Sequence, residues 1–150
     1  MTKVLGKKVN KPWGHELWIA DGVRTPYALK RILFESGKRS SLHVHRFKHE
    51  TNFVISGSGF IQLSQSPIDF DLYLNSKDAQ SYIADFVSGL IEIPLLPGDI
   101  VDVEPGYLHR VVSTSDLIFV ECSTCHLDDV FRIEDDSNRG HGRIDSEHSY

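Results

Sequence analysis

Apolar and polar residues alternate over short stretches of this chain, and turn residues separate most of these stretches. Such alternation is typical of half-buried β-strands, because successive side chains of a strand point to opposite faces of its sheet. Strands are predicted at 18–19, 27–34, 41–45, 53–55, 60–63, 70–74, 91–95, 100–103, 109–112 and 117–121. Short strands at regular intervals with Gly and Pro turns favour an antiparallel barrel or jelly roll.

Two segments refine this pattern. Ser56-Gly57-Ser58-Gly59 lies between two predicted strands and indicates a hairpin. Within 78–87, Tyr82, Ile83, Phe86 and Val87 recur at helical spacing, which predicts one short helix.

Composition limits the possible function classes. The chain has 150 residues, 40% of them hydrophobic, which suits one soluble domain. Its net charge of −5 and its lack of a basic stripe argue against a nucleic-acid partner. No apolar run is long enough to span a bilayer and the first residues do not form a signal peptide, so no membrane partner and a cytoplasmic location are expected.

The segment from Gly37 to Gly57 carries the strongest chemical signal. His43 and His45 are two residues apart, so on a strand both imidazoles point to the same face. A turn through 46–49 can then return Glu50 beside them. Two imidazoles and a carboxylate at one point make a site suited to Mn, Fe, Co, Ni, Cu or Zn.

This segment and a second one from Gly98 to His109 resemble the paired motifs of the cupin superfamily. The first fits G-x5-H-x-H-x3,4-E-x6-G at every fixed position; the second keeps the interval but has its proline one place late. The resemblance implies an all-β double-stranded β-helix, a jelly-roll barrel with one short helical insertion. It also implies one divalent transition metal (Zn, Mn, Fe, Ni or Co), and the implied ligands are His43, His45, Glu50 and His109.

The flanking segments are similar to the type II mannose-6-phosphate isomerase cupin domain. Lys11-Pro12-Trp13-Gly14 resembles its opening, and the run from Asp128 to Asp135 resembles its closing segment. The implied organisation is one cupin domain over 1–136, followed by a polar, flexible tail over 137–150. The stretch at about 65–90 is then an insertion that covers the barrel mouth or forms a dimer contact.

A metal-dependent sugar-phosphate isomerase is therefore the leading functional hypothesis. Aldose–ketose exchange needs a base to carry a proton between two carbons, and His49 and Glu121 are the candidates. A sugar phosphate also needs cations, and the nearest to the motifs are Lys30, Arg31, Lys48 and Arg110. Strand alternation allows only one of Lys30 and Arg31 on the inner face.

Other interpretations remain open. The same ligands suit a non-haem iron dioxygenase, which would need an apolar pocket, and the barrel also suits a non-catalytic binder of sugars or small molecules. Cys122-Ser-Thr-Cys125-His126 formally matches a c-type haem attachment motif, but we interpret it as thiols at a strand end. A homodimer formed through exposed strands is expected.

Overall fold

The computed structural model describes residues 3–148, and the secondary structure there is mostly β. The strands form two antiparallel sheets, one in the order β1-β2-β3-β10-β5-β8 and the other in the order β11-β4-β9-β6-β7. The strands are β1 (Lys7–Lys11), β2 (Gly14–Asp21), β3 (Ala28–Phe34), β4 (Leu42–Val44), β5 (Glu50–Ser56), β6 (Gly59–Leu63), β7 (Ile91–Leu95), β8 (Ile100–Val103), β9 (His109–Ser113), β10 (Leu117–Ser123) and β11 (Phe131–Glu134). Two helices, α1 (Phe70–Asn75) and α2 (Ala79–Ser88), and a short 3₁₀ helix (Asp145–His148) complete the fold.

The two sheets face each other as the predicted double-stranded β-helix. Their inner faces change character along the strands. On β3 the inward positions run from Lys30 to Ile32 and Phe34, and the facing residues on β10 run from Glu121 to apolar side chains. One end of the interior is therefore charged and the other is apolar.

The apolar end holds the main hydrophobic core between the sheets. Trp13 stacks on Phe34 with ring centroids 3.9 Å apart, and Phe34 in turn stacks on Phe119. The buried members of this core are Trp13, Ile32, Phe34, Val54, Ile61, Leu95, Val103, Leu117 and Phe119. Burial of this surface is the dominant favourable term in folding, and it holds the strands whose other ends carry the charged residues.

Residues 65–90 contain both helices, and one prediction for this stretch is wrong. Residues 70–74 form helix α1 rather than a strand, because the Asp69 carboxylate accepts hydrogen bonds from the main-chain N–H groups of Asp71 and Leu72 and caps the helix. The second helix, α2, is the one predicted by helical spacing.

The insertion packs on the outer face of the five-stranded sheet. Ile68 and Ile83 are buried there against Leu42 and Val44, whose side chains point away from the barrel interior. None of the described residues in 65–90 lines the interior cavity. The insertion therefore covers the back of β4 and not the barrel mouth.

The predicted hairpin at 56–59 is also wrong. The turn is present, but β5 pairs with β10 and β8 while β6 pairs with β9 and β7. It therefore connects the two sheets. Gly57 has φ +85°, and a Cβ there would lie 1.9 Å from the carbonyl oxygen of Asp116, so the crossing requires glycine.

Residues 137–148 pack against the barrel instead of forming a loose tail. Arg139 forms ion pairs with Asp135 (2.7 Å) and Glu147 (2.9 Å), and Glu147 also pairs with Lys11 on β1 (2.7 Å). Each of these four side chains is at most 12% exposed. The predicted flexibility therefore does not extend through this segment, and residues 149–150 lie outside the described part of the chain. No helix among residues 3–148 has the length and apolar character needed to cross a membrane.

Candidate metal centre

Three histidines meet at the charged end of the interior. His43 lies on β4, His45 follows that strand directly, and His109 opens β9 opposite His43 in the strand register. One ring nitrogen from each lies within 4.8 Å of the others. His45 and His109 are only 3% and 2% exposed. Three imidazole nitrogens at this separation can share one metal ion.

Hydrogen bonds fix the orientation of all three rings. Each Nδ1–H donates to a main-chain carbonyl: His43 to Ser41 (2.9 Å), His109 to Tyr107 (3.0 Å) and His45 to Asp129. The Nε2 atoms of His45 and His109 are buried and have no hydrogen-bond partner among residues 3–148. Metal-bound histidines in proteins are oriented in this way by their second ring nitrogen. The orphaned Nε2 atoms therefore fit a metal ion as their missing partner.

Glu50 lies beside this group at the start of β5. Its two carboxylate oxygens are each 3.5 Å from an Nε2 atom, one of His45 and one of His109. The Lys48 ammonium also contacts Glu50, at 2.5 Å from Oε2. Oε2 is thus held by a lysine, while Oε1 faces His109, accepts an N–H of Asn52 at 3.3 Å and keeps a lone pair for use as a fourth ligand.

The electrostatic environment favours the protonation states that bind metal. Burial lowers the pKa of His43 and of His45, assisted for His43 by the neighbouring imidazoles and for His45 by Lys48. Burial acts to raise the pKa of Glu50, but Lys48 and the two adjacent histidines outweigh it and hold that pKa well below its usual range. These shifts favour neutral imidazoles at His43 and His45 and an ionised carboxylate at Glu50.

A chain of alternating charges extends from Glu50 across the six-stranded sheet. Lys48 donates to Glu121 (2.9 Å) as well as to Glu50, Lys30 lies 3.8 Å from Glu121, and Lys30 also pairs with Glu16 (3.2 Å). All five residues are at most 8% exposed. Buried charges are tolerated only when paired, so each member of this chain depends on its neighbours.

One cavity contains both the histidines and this charged chain. One wall of the cavity is polar and includes His43, Glu50 and Glu121, while the opposite wall is apolar. The apolar wall is formed by Trp13, Ile32, Phe34, Val111 and Phe119. The lining also includes residues from the C-terminal segment, among them Arg143 and His148. The free volume is about 110 Å³.

The remaining predicted site residues divide between the inside and the outside. Lys30, Lys48 and Glu121 line the cavity. Arg31 points to the opposite, exposed face of β3. His49 has a 44% exposed side chain that bonds Asp102 at 2.8 Å on the outer surface.

Arg110 is the remaining predicted cation, and it also lies outside the cavity lining. Its side chain is buried and donates to the carbonyl oxygen of Ser40 and to Glu134. Arg31, His49 and Arg110 are therefore not brought together with the histidines, because strand alternation and the turn at 46–49 direct them elsewhere.

Sequence reasoning missed the part that Asp129 plays. Its carboxylate accepts hydrogen bonds from the main-chain N–H groups of Arg46, Phe47 and Lys48, at 2.6–3.0 Å, and its carbonyl oxygen accepts the Nδ1–H of His45. Asp129 thus holds the turn that brings Glu50 back to the histidines. The only available signal was its place in the segment from Asp128 to Asp135.

Glu16 and Arg132 also line the cavity without having been predicted as site residues. Glu16 lies on β2, forms an ion pair with Lys30 and accepts a hydrogen bond from the indole N–H of Trp18 at 2.6 Å. Arg132 lies on β11, opposite His43 in the strand register. The ion pair of Glu16 with Lys30 and the juxtaposition of Arg132 with His43 both depend on strand pairing, which the sequence does not display.

Comparison with solved structures identifies similar folds. The chain matches the capsular polysaccharide assembling protein CapF from Staphylococcus aureus with a TM-score of 0.63 and 18% identity over 88% of this chain and 32% of that one. It matches KdgF from Halomonas sp. with a TM-score of 0.58 and 16% identity, covering 82% of this chain and 91% of that one. Oxalate decarboxylase from Lactobacillus farciminis matches with a TM-score of 0.61 and 15% identity, covering 85% and 33%. No protein-family model and no curated protein matches the chain by sequence.

These similarities establish the fold. The matched proteins are cupin-type β-helix proteins, so the chain has the cupin fold expected from its two motifs. It spans only about a third of the CapF and oxalate decarboxylase chains, at 32% and 33%. One of the matched proteins is an oxalate decarboxylase, but a shared fold does not by itself specify an activity.

Proposed function

We propose that this protein is a metal-dependent isomerase that interconverts the aldose and ketose forms of a sugar phosphate, with mannose 6-phosphate as the model substrate. The observation that carries this proposal is the shared cavity. Three oriented histidines and Glu50 line the same cavity as Glu121, a second buried carboxylate. The reaction needs a charge-stabilising centre and a proton carrier within reach of one small molecule.

His43, His45, His109 and Glu50 would hold the ion. A divalent ion bound there would supply Lewis-acid polarisation of neighbouring carbonyl and hydroxyl oxygens. The charged chain leaves this effect intact, because the Lys48 and Lys30 ammoniums balance the carboxylates of Glu121 and Glu16. The metal ligands themselves keep one negative charge against a divalent cation.

Glu121 is the proton carrier best placed in the cavity. Lys48 Nζ lies 2.9 Å from Glu121 and 2.5 Å from Glu50, so this one ammonium fixes the separation of the two carboxylates. A general base must lie within hydrogen-bond reach of the proton it removes, and only a group inside the cavity meets that condition. His49, the other predicted base, bonds Asp102 on the outside.

Entry of a sugar phosphate requires the cavity to widen. The free volume of about 110 Å³ is smaller than the roughly 300 Å³ at the lower end of small-molecule sites. Gly142, Arg143 and Ile144 line the cavity and belong to the C-terminal segment. We therefore include outward movement of residues 143–148, which breaks the ion pairs of Glu147 with Lys11 and Arg139, in the proposed catalytic cycle.

A second candidate function is an iron-dependent dioxygenase. The observation in its favour is the apolar wall of the cavity, where Trp13, Phe34 and Phe119 line the same space as the histidines. Such a wall suits an apolar substrate more than a sugar. Oxygen uptake by Fe(II)-loaded protein in the presence of small enolisable substrates tests this alternative.

The proposed isomerase is tested by a coupled assay on hexose and pentose phosphates with protein loaded separately with Mn, Co, Ni, Zn and Fe. Turnover of at least one substrate is expected. Glu121→Gln should lower kcat by roughly a hundredfold or more with unchanged metal content, since a general base contributes 10²–10⁴-fold. His49→Ala is the matched control and should retain wild-type turnover. Full activity in Glu121→Gln, or no isomerisation with any metal, contradicts the proposal.

A further inference from the structure

Arg132 is a cation of the cavity wall whose position relative to the histidines is fixed by strand pairing. It faces His43 in the antiparallel register of β11 and β4. Directly opposed residues of an antiparallel pair project to the same face of the sheet. Both side chains accordingly line the interior cavity.

Within residues 3–148, the guanidinium is anchored at one nitrogen only. Nη1 donates to the carbonyl oxygens of Gly140 and Gly142, the latter at 3.0 Å. Nε is buried and has no hydrogen-bond partner among residues 3–148. Because a buried unpaired donor costs free energy, such a group calls for a partner that binds it.

Arg132 also differs from the other cations around the cavity. Lys11 and Arg139 share the Glu147 carboxylate, and Lys30 and Lys48 are paired within the buried chain. None of the ion pairs within residues 3–148 includes Arg132. Its positive charge is therefore the one in the described cavity wall that no carboxylate contacts.

The free edge of the guanidinium has the geometry of an oxyanion receptor. With Nη1 bound to the loop, Nε–H and the Nη2–H on the same side form a planar fork. Such a fork matches two oxygens of a carboxylate or a phosphate. The loop carbonyls hold this fork in place before any ligand binds, which reduces the ordering cost of binding.

We propose that Arg132 binds the anionic group, phosphate or carboxylate, of the molecule that occupies the cavity beside the histidines. This inference rests on the proposed function only in treating that molecule as the substrate. It places anion recognition on β11, next to His43, instead of on Lys30, Arg31, Lys48 or Arg110. The residue thereby selects an anionic sugar derivative over its neutral parent.

Calorimetric titration of the metal-loaded protein tests the inference without requiring turnover. The probes are fructose 6-phosphate against fructose, and glucuronate against glucose. We expect one anionic member to bind at least roughly tenfold more tightly than its neutral partner, as a charge-assisted contact predicts. Preference for the phosphate or for the carboxylate identifies which oxyanion the fork receives.

Two variants assign the effect to the residue. Arg132→Met should abolish the preference for the anionic probe, and Arg132→Lys should restore only part of it, since an ammonium keeps the charge but not the fork. Arg31→Gln, which removes a cation on the outer, exposed face of β3, is the matched control and should bind like wild type. Metal content and thermal stability are measured on every variant to confirm the fold.

The outcomes separate this inference from the proposed isomerase. Anion preference that depends on Arg132 in a protein without isomerase activity supports the inference and contradicts the isomerase. Wild-type protein without any anion preference, or a folded Arg132→Met variant that keeps it, overturns the inference. If Arg132→Met does not fold, the same comparison is made with Arg132→Lys, and undiminished preference there counts against the bidentate contact.

Discussion

Each clustered histidine donates its Nδ1–H to a main-chain carbonyl, and this bond determines which ring nitrogen faces the cavity. The local sequence places two of these donors, because His43 and His45 are two residues apart and their side chains therefore point to the same face of the sheet. Two of the acceptors are local as well, since the carbonyls of Ser41 and Tyr107 lie two residues before His43 and His109, but the third is not. The carbonyl that orients His45 belongs to Asp129, 84 residues away.

The first residue-scale prediction concerns the metal ligands. His45→Ala and Glu50→Gln should each lower metal affinity by at least roughly tenfold, because each removes or weakens one donor. Metal content after dialysis, measured by mass spectrometry, checks this. His126→Ala removes an exposed histidine outside the cavity and serves as the control. Full occupancy at unchanged affinity in either ligand variant would show that the assignment is wrong.

The second concerns the buried carboxylate Glu16. Burial acts to raise its pKa, but Lys30, Lys11 and the Trp18 indole N–H outweigh burial and lower it to about 2 from 4.5. Because the pKa of Glu16 is lower in the folded than in the unfolded protein, its ionised carboxylate stabilises the fold above pH 4.5. This stabilisation is lost as the pH falls toward 2. A shift of this size corresponds to about 3 kcal/mol.

Urea unfolding of metal-free protein between pH 6 and pH 2.5 measures this contribution. The free energy of unfolding of wild type should fall more steeply below pH 4.5 than that of Glu16→Gln, which has no carboxylate to titrate. Glu92→Gln, with an exposed side chain, should follow the wild-type curve. If the free energy of unfolding falls equally steeply with pH in wild type and in Glu16→Gln, the stabilising ion pair of Glu16 with Lys30 is contradicted.

Strand alternation also left some choices open at this scale. It allowed either Lys30 or Arg31 to face inward, and the pairing of Lys30 with Glu121 across β3 and β10 decides for Lys30. The sequence located the four proposed ligands and Glu121. It did not locate Glu16 or Arg132, whose neighbours in the cavity come from other strands.

At the scale of elements, the turn between β4 and β5 depends on one distant side chain. Asp129 accepts three main-chain N–H groups of that turn through its carboxylate. Asp129→Ala should therefore lower metal affinity by roughly tenfold or more without removing a ligand. Asp129→Asn keeps one acceptor oxygen, so its metal affinity should lie between those of Asp129→Ala and wild type. Metal titration with a chromophoric chelator distinguishes them, and wild-type affinity in Asp129→Ala would contradict the role.

The helical insertion stabilises the sheet that carries His43. Ile83 is 5% exposed and packs behind β4. Ile83→Ala should lower the free energy of unfolding by about 2–5 kcal/mol, as for other large-to-small core changes. Leu72→Ala, at a side chain 55% exposed, should change it by less than about 0.5 kcal/mol. Equal effects in the two variants, measured by urea denaturation, would show that the insertion is not packed as described.

Element prediction from sequence failed where pairing is not local. The alternation in 70–74 suits a strand, but the Asp69 cap stabilises a helix there. The glycines at 57 and 59 marked a turn correctly, yet the partners of β5 and β6 lie in different sheets. A local pattern specifies that a chain turns, and it does not specify which strands then pair.

At the scale of the whole molecule, long-range ion pairs join the two ends of the described chain. Lys11 and Glu147 are 136 residues apart in sequence and 2.7 Å apart in space. The polar composition of 137–150 predicted a flexible tail, because composition alone does not reveal that its charges have buried partners. The barrel itself was predictable, since the spacing of two motifs and the regular short strands both favour it.

The central claim is that one metal ion binds between the three histidines and Glu50. Its most direct test is a crystal structure of the protein loaded with Co(II) or Zn(II), with anomalous diffraction recorded at the edge of that metal. The account predicts a single strong anomalous peak about 2.0–2.2 Å from the Nε2 atoms of His43, His45 and His109 and from a carboxylate oxygen of Glu50. Absence of a peak there in saturated protein, or a sole peak at the exposed thiols Cys122 and Cys125, would contradict it.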